Sequence, residues 1–93
     1  MHIQQKDDGK NGAFFIQEGT EQVALMTYTW TAPNLFTIEH TEVNEDLEGK
    51  GVGKQLVQRA VEFAREKESR INPQCRFANA IINRTPEFRD VLE

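Results

Sequence analysis

Two hydrophobic periods divide the chain. Up to residue 43 apolar and polar positions alternate, the period of a β-strand; from residue 52 they recur every three to four, the period of an α-helix. Turn-forming residues cut the first part into four short strands. A strand centred on Ile3 leads into Asp7-Asp8-Gly9-Lys10-Asn11-Gly12, in which Asn11-Gly12 is the strongest hairpin pair. Residues 13–18 form a second strand, closed by a turn at Gly19-Thr20-Glu21. Residues 22–30 are rich in β-branched and aromatic side chains and form a third. Ala32-Pro33-Asn34 breaks it, and Leu35–Val43 alternates as a fourth. Connections this short predict an antiparallel meander.

The second part reads as a helix over residues 52–68. Val52, Leu56, Val57, Ala60, Val61, Phe63 and Ala64 fall on one face, and Lys54, Gln58, Arg59, Glu62, Arg65 and Glu66 on the other. That polar face is most simply solvated. Residues 70–75 then suit a short fifth strand. A strand–helix crossover places it parallel to the fourth, with Pro73 at an edge or bulge. Residues 76–83 and 86–92 read as two short helical pieces, the second starting at Pro86 with Thr85 as its cap. The fold class expected is α+β in one domain over residues 1–93: a four-strand antiparallel meander, a crossover helix, a parallel fifth strand and short C-terminal helices.

Composition narrows the function. Eleven Lys and Arg against fifteen Asp and Glu leave a net charge of −4, which argues against a binder that tracks nucleic-acid phosphates. The single cysteine, Cys75, excludes an intrachain disulfide and a cysteine-based zinc cluster, and suits a reducing, cytoplasmic setting. The opening residues are polar, without the apolar stretch of a signal peptide, and no apolar run reaches transmembrane length, so no membrane partner is expected. Tyr28 and Trp30 suit the core or the seam of a homodimer.

The join between the fourth strand and the helix carries the chemistry. Glu48-Gly49-Lys50-Gly51-Val52-Gly53 opens the helix, with Lys54 following. Glycines permit close approach of a ligand to the backbone. The first helical turn offers unpaired N–H groups and the positive end of the helix dipole. Together they make an anion site suited to a diphosphate, although the same glycines also suit tight strand-to-helix packing. The spacing is neither that of a Walker loop nor that of a Rossmann turn.

His40-Thr41-Glu42-Val43, Gly51-Val52-Gly53, Pro73-Gln74-Cys75-Arg76-Phe77 and Arg84-Thr85-Pro86-Glu87-Phe88 stand in the order found in small, truncated GNAT-like N-acetyltransferase domain proteins, which this chain resembles over about its last fifty residues. The resemblance implies acetyl-CoA as cosubstrate, an unidentified amine acceptor, and no metal. It implies that backbone at Gly49, Lys50, Gly51, Val52, Gly53 and Lys54 binds the diphosphate and that Thr41, Glu42 and Val43 hold the pantetheine arm. Glu48 departs from the family, which usually has Gln or Arg there. Cys75 stands near the acetyl group in the resemblance, as an acyl acceptor or as a proton donor to the leaving thiolate; a small buried apolar residue is the alternative. His40 suits a base for the amine, or a histidine bonded within the sheet. Asn79 suits a cofactor hydrogen bond. Arg84 suits a phosphate or, more simply, a pairing with Glu87 or Asp90. Full-length members carry two helices between their first two strands, where this chain has only residues 7–12, so the acceptor wall is missing or comes from another chain.

Overall fold

In the computed structural model, which describes residues 2–93, the alternating segments pair into one five-stranded sheet of order β1-β2-β3-β4-β5. Strands β1 (Gln4–Asp7), β2 (Asn11–Glu18), β3 (Glu21–Ala32) and β4 (Leu35–Val43) form the antiparallel meander. Helix α1 (Val52–Glu66) crosses over to β5 (Arg70–Pro73), which pairs parallel to β4. Helix α2 (Arg76–Arg84) and a 3₁₀ helix (Pro86–Val91) complete the chain, so the α+β architecture is the one its periodicity predicts.

Three local features differ from the expectation. The first hairpin turns at residues 8–10, not at Asn11-Gly12, which open β2. Two carboxylates shape that turn: Asp7 accepts from Gly9 N–H, and Asp8 accepts from Lys10 and Asn11 N–H. Gly12 serves packing instead, since a β-carbon there would lie 2.3 Å from Tyr28 Cζ, well inside contact distance. The stretch between β4 and α1 is not all loop. Residues Glu45–Leu47 form a 3₁₀ turn whose first residue is preceded by Asn44, the side chain of which accepts from Asp46 N–H. Strand β5 ends at Pro73, and Gln74 and Cys75 both donate N–H to the Ile38 carbonyl, 3.1 Å each, as the chain swings off the sheet.

One face of the sheet is packed. Phe14, Met26, Tyr28, Phe36 and Ile38 project from it onto Leu56, Val57, Ala60, Val61 and Phe63 of α1, joined by Ile82, Phe88 and Val91 from the C-terminal pieces. Arg65 on the otherwise solvated face of α1 grips both carboxylate oxygens of Asp90 at 2.8 and 3.0 Å and also donates to the Glu87 carbonyl. Asp90 is thus taken, and Arg84 instead donates to the Ala80 carbonyl of its own helix at 3.2 Å. Thr85 precedes the 3₁₀ helix without a side-chain cap bond and contributes its carbonyl, which accepts from Phe88 N–H.

Tyr28 lies in the core, 1% exposed, and its hydroxyl donates to Asp7 at 2.6 Å. Trp30 Nε1 donates to the same carboxylate oxygen at 2.9 Å, so the first hairpin is pinned to β3. Partial burial disfavours the Asp7 charge, but donation from Tyr28, Trp30 and Gly9 outweighs it and holds the carboxyl below its ordinary value. A depressed folded-state pKa contributes stability above the unfolded value of 3.8, and loses it as the pH falls through the lower, folded value. Urea denaturation at pH 7 and near pH 3 is therefore expected to show a smaller loss of stability on acidification for Asp7→Asn than for the wild type. Equal losses would remove Asp7 from the acid response.

Candidate active site

Strands β4 and β5 part after Ile38, the last β4 residue in their register. From Glu39 to Val43 the outer edge of β4 has no strand beside it, and a groove of about 520 Å³ opens there. Thr41 and Val43 line one side. Leu47, Glu48, Gly49, Gly51, Val52, Gly53 and Lys54 line the end, and Phe77 and Ile81 from α2 form the opposite wall.

An irregularity in β4 decides which side chains face this groove. The register with β3 shifts between Thr27 and Tyr28, so that Tyr28 pairs with Ile38 but Thr27 pairs with His40. The strand bulges at Glu39, and the inward parity changes from even to odd. Phe36 and Ile38 face the core, and beyond the bulge Thr41 and Val43 take that side, opposite Met26 and Ala24. His40 and Glu42 go to the open face, where His40 Nε2 lies 3.2 Å from Glu42 Oε1. Their side chains are 58% and 68% exposed. The sheet therefore separates the His40 imidazole from the groove, so a base for an amine placed in the groove is not what this geometry offers; Glu42 can meet a ligand there only through its backbone.

The loop holds its donors free. Gly49 and Gly51 adopt φ of 79° and 74°, the left-handed region, which carries the chain from the 3₁₀ turn into α1. The first intrahelical bond is donated by Gln55 to the Gly51 carbonyl, and Lys50 donates to Leu47 at 3.3 Å. Among the described residues, the N–H groups of Gly49, Gly51, Val52, Gly53 and Lys54 have no acceptor. Five main-chain donors, four of them at the start of a fifteen-residue helix, thus converge beside the groove with Lys50 and Lys54 exposed around them. Glu48 lines the same mouth from the opposite charge.

Cys75 is the residue before α2 and is partly buried. Its thiol donates to Thr41 Oγ1 at 3.3 Å, which puts the sulfur in contact with a residue that lines the groove. Asn79 does not face the groove. Its amide donates to the Pro73 carbonyl at 3.2 Å and its Oδ1 accepts from Asn83, so it fastens α2 to the end of β5. Sequence reasoning did not single out Leu47, Phe77 or Ile81 as groove residues. Phe77 and Ile81 carry the signal in their four-residue spacing, which stacks them on one stripe of α2. Among the described residues, no cluster of three His, Cys, Asp or Glu side chains is placed to hold a metal ion, and no helix is long and apolar enough to cross a membrane.

The sequence profile described as GCN5-related N-acetyl-transferase matches residues 13–91, a span from β2 through the second 3₁₀ helix. The chain belongs to the GCN5-related N-acetyltransferase family. Protein NATD1 of Gallus gallus is 25% identical over 85 residues, covering 90% of this chain and 77% of that protein. A GCN5-like protein from Staphylococcus aureus, solved in solution by NMR, superimposes with a TM-score of 0.77 at 32% identity, covering 97% of this chain and 87% of that one. A ribosomal-protein-alanine N-acetyltransferase from Brucella melitensis shares the fold, with a TM-score of 0.63 at 17% identity over 84% of this chain and 62% of that chain. The turn at residues 8–10 connects β1 and β2, and among the described residues no helix covers the sheet face bearing His40 and Glu42.

Proposed function

We propose that this protein binds acetyl-CoA in the groove beside β4 and transfers its acetyl group to an amine. One observation carries the reading: the unpaired N–H groups of Gly49 and of residues 51–54 lie at the end of a groove whose walls are largely apolar, as a diphosphate attached to a pantetheine arm requires. The amides of Gly49, Gly51, Val52, Gly53 and Lys54 grip the diphosphate, and the Lys50 and Lys54 ammonium groups add charge. The free edge of β4 at Thr41, Glu42 and Val43 pairs with the arm's amides as an added strand. This order brings the thioester to the end where Cys75 meets Thr41.

The acceptor nitrogen, uncharged, attacks the thioester carbonyl carbon; the C–N bond forms as the C–S bond breaks. The Cys75 thiol gives its proton to the departing sulfur and recovers one from the acylated nitrogen, which leaves free CoA and an amide. In the covalent variant, the Cys75 sulfur attacks the thioester carbonyl and the bond to CoA breaks, CoA leaving with the thiol proton; the amine then attacks acetyl-Cys75, the C–N bond forms as that C–S bond breaks, and the nitrogen's proton returns to the Cys75 sulfur. Intact-mass measurement after incubation with acetyl-CoA separates the two: one added acetyl group on the wild type but none on Cys75→Ala marks the covalent route. The free thiol suits a reducing compartment such as the cytoplasm.

The position of His40 on the far face favours a second reading, a module that binds the acyl carrier without turnover. Both readings require CoA to stabilise the fold. With a dissociation constant of about 10 µM, about 1 mM CoA adds about 2.7 kcal/mol, a rise of roughly 10–20 °C in Tm for a domain of this size. An unchanged Tm would sink both. Acetylation of at least one member of an amine panel selects the enzyme.

A further inference from the structure

Phe77 is the one large hydrophobic side chain left exposed among the described residues, at 42%. The rest of the apolar stripe of α2 is buried: Ala78 at 0%, Ile81 at 8% and Ile82 at 0%. The ring lies at the seam of the two helices, and a β-carbon placed on Gly53 would lie 2.2 Å from its Cζ, well inside contact distance. One side of Phe77 is thus covered by the first turn of α1, while the other lines the groove. Glycine inside a helix is disfavoured against alanine by backbone entropy. Its presence at position 53, with φ outside the left-handed region, is explained by the ring and not by a ligand or a turn. Gly53 and Phe77 therefore act as a matched pair that sets the width of the groove.

Position along the groove says what the ring meets. The diphosphate donors lie at residues 49–54, and the strand edge that takes the arm lies at Thr41 and Val43, across from α2. An aromatic ring on that far wall faces the segment between phosphate and sulfur. That segment, in a CoA thioester, is the pantetheine arm with its geminal methyl groups. We propose that Phe77 is the pantetheine-facing wall of the cofactor groove, and that Gly53 holds the ring at the width the arm needs. The inference rests on the reading of the groove as a CoA site and adds the residue that recognises the arm as distinct from the nucleotide.

Calorimetric titration with two probes tests it. CoA carries both the nucleotide and the arm; 3′-phosphoadenosine 5′-diphosphate carries the nucleotide and diphosphate alone. Phe77→Ala is expected to weaken CoA about tenfold and to leave the nucleotide half within about twofold, because only the arm loses its wall. Phe77→Leu, which keeps an apolar side chain, recovers most of the loss. Gly53→Ala pushes the ring into the groove and is expected to weaken CoA about fivefold in the wild type, yet to have no effect in the Phe77→Ala background, the non-additivity expected of a touching pair. Circular dichroism checks that each variant is folded, as the exposure of Phe77 leads one to expect. Unchanged CoA affinity in folded Phe77→Ala, or an equal loss for both probes, overturns the assignment while leaving the CoA site standing. A wild type that binds neither probe overturns the CoA site itself, and this inference with it.

Discussion

Phe36→Ala is expected to lower the melting temperature by about 15–30 °C. Phe36 is fully buried where β4 leaves the turn that joins it to β3. Its ring centroid lies 5.0 Å from that of Tyr28, 5.2 Å from Trp30 and 5.7 Å from Phe63. It therefore joins β3, β4 and the far end of α1 in one aromatic cluster. Truncation to alanine removes the ring's transfer energy and leaves a void that these rigid neighbours cannot close, a loss of about 3–5 kcal/mol. A domain of this length has only about 5–14 kcal/mol in total. Each kcal/mol lost lowers Tm by about 4–8 °C at this size, and about 5–6 °C per kcal/mol gives the stated range. Phe36→Leu, which keeps most of the volume, is expected to lose less than half as much. Calorimetry of the three proteins decides, and a fall under 5 °C for Phe36→Ala would mean that the cluster does not hold the sheet to the helix.

Reversing both loop lysines is the change expected to affect the groove most. Lys50→Glu with Lys54→Glu turns two positive charges beside the free amides into negative ones, while neither side chain belongs to the core. An exposed ion pair contributes about 0.5 kcal/mol, and reversal replaces attraction with a similar repulsion. Two such reversals amount to about 2 kcal/mol, or roughly thirtyfold in the dissociation constant for CoA. The loss should shrink in high salt, because both charges face water. Titration at low and high ionic strength measures it, with thermal melts of the apoprotein to confirm an intact fold. Full affinity in the doubly reversed protein would place the diphosphate elsewhere.

The glycine loop was legible because its chemistry is local. Gly49 and Gly51 sit at backbone angles that glycine favours, and the donors left unpaired belong to the helix start that the apolar period beginning at Val52 announces. The Asp7–Asn11 turn was less legible, because both Gly9 and Gly12 suit a hairpin, and only the Tyr28 ring lying over Gly12 takes that glycine out of the turn. His40 was misleading for a similar reason. Strict alternation puts it on the face of Phe36 and Ile38, yet the bulge at Glu39 reverses the parity. The trace of this in the sequence is the inward apolar series itself, which passes from Phe36 and Ile38 to Val43.

The chain's own pattern determined the five strands, the crossover helix, the parallel return and the glycine loop with its unpaired donors, since each follows from period, turn chemistry or the unpaired ends of a helix within a few residues. Tertiary packing alone decided which side of β4 faces the groove, that Cys75 reaches Thr41, that Asn79 is tied to Pro73, and that Gly53 makes room for Phe77. These relations join residues far apart in sequence, and they depend on a one-residue slip in register and on the approach of two helices, neither of which a local pattern encodes.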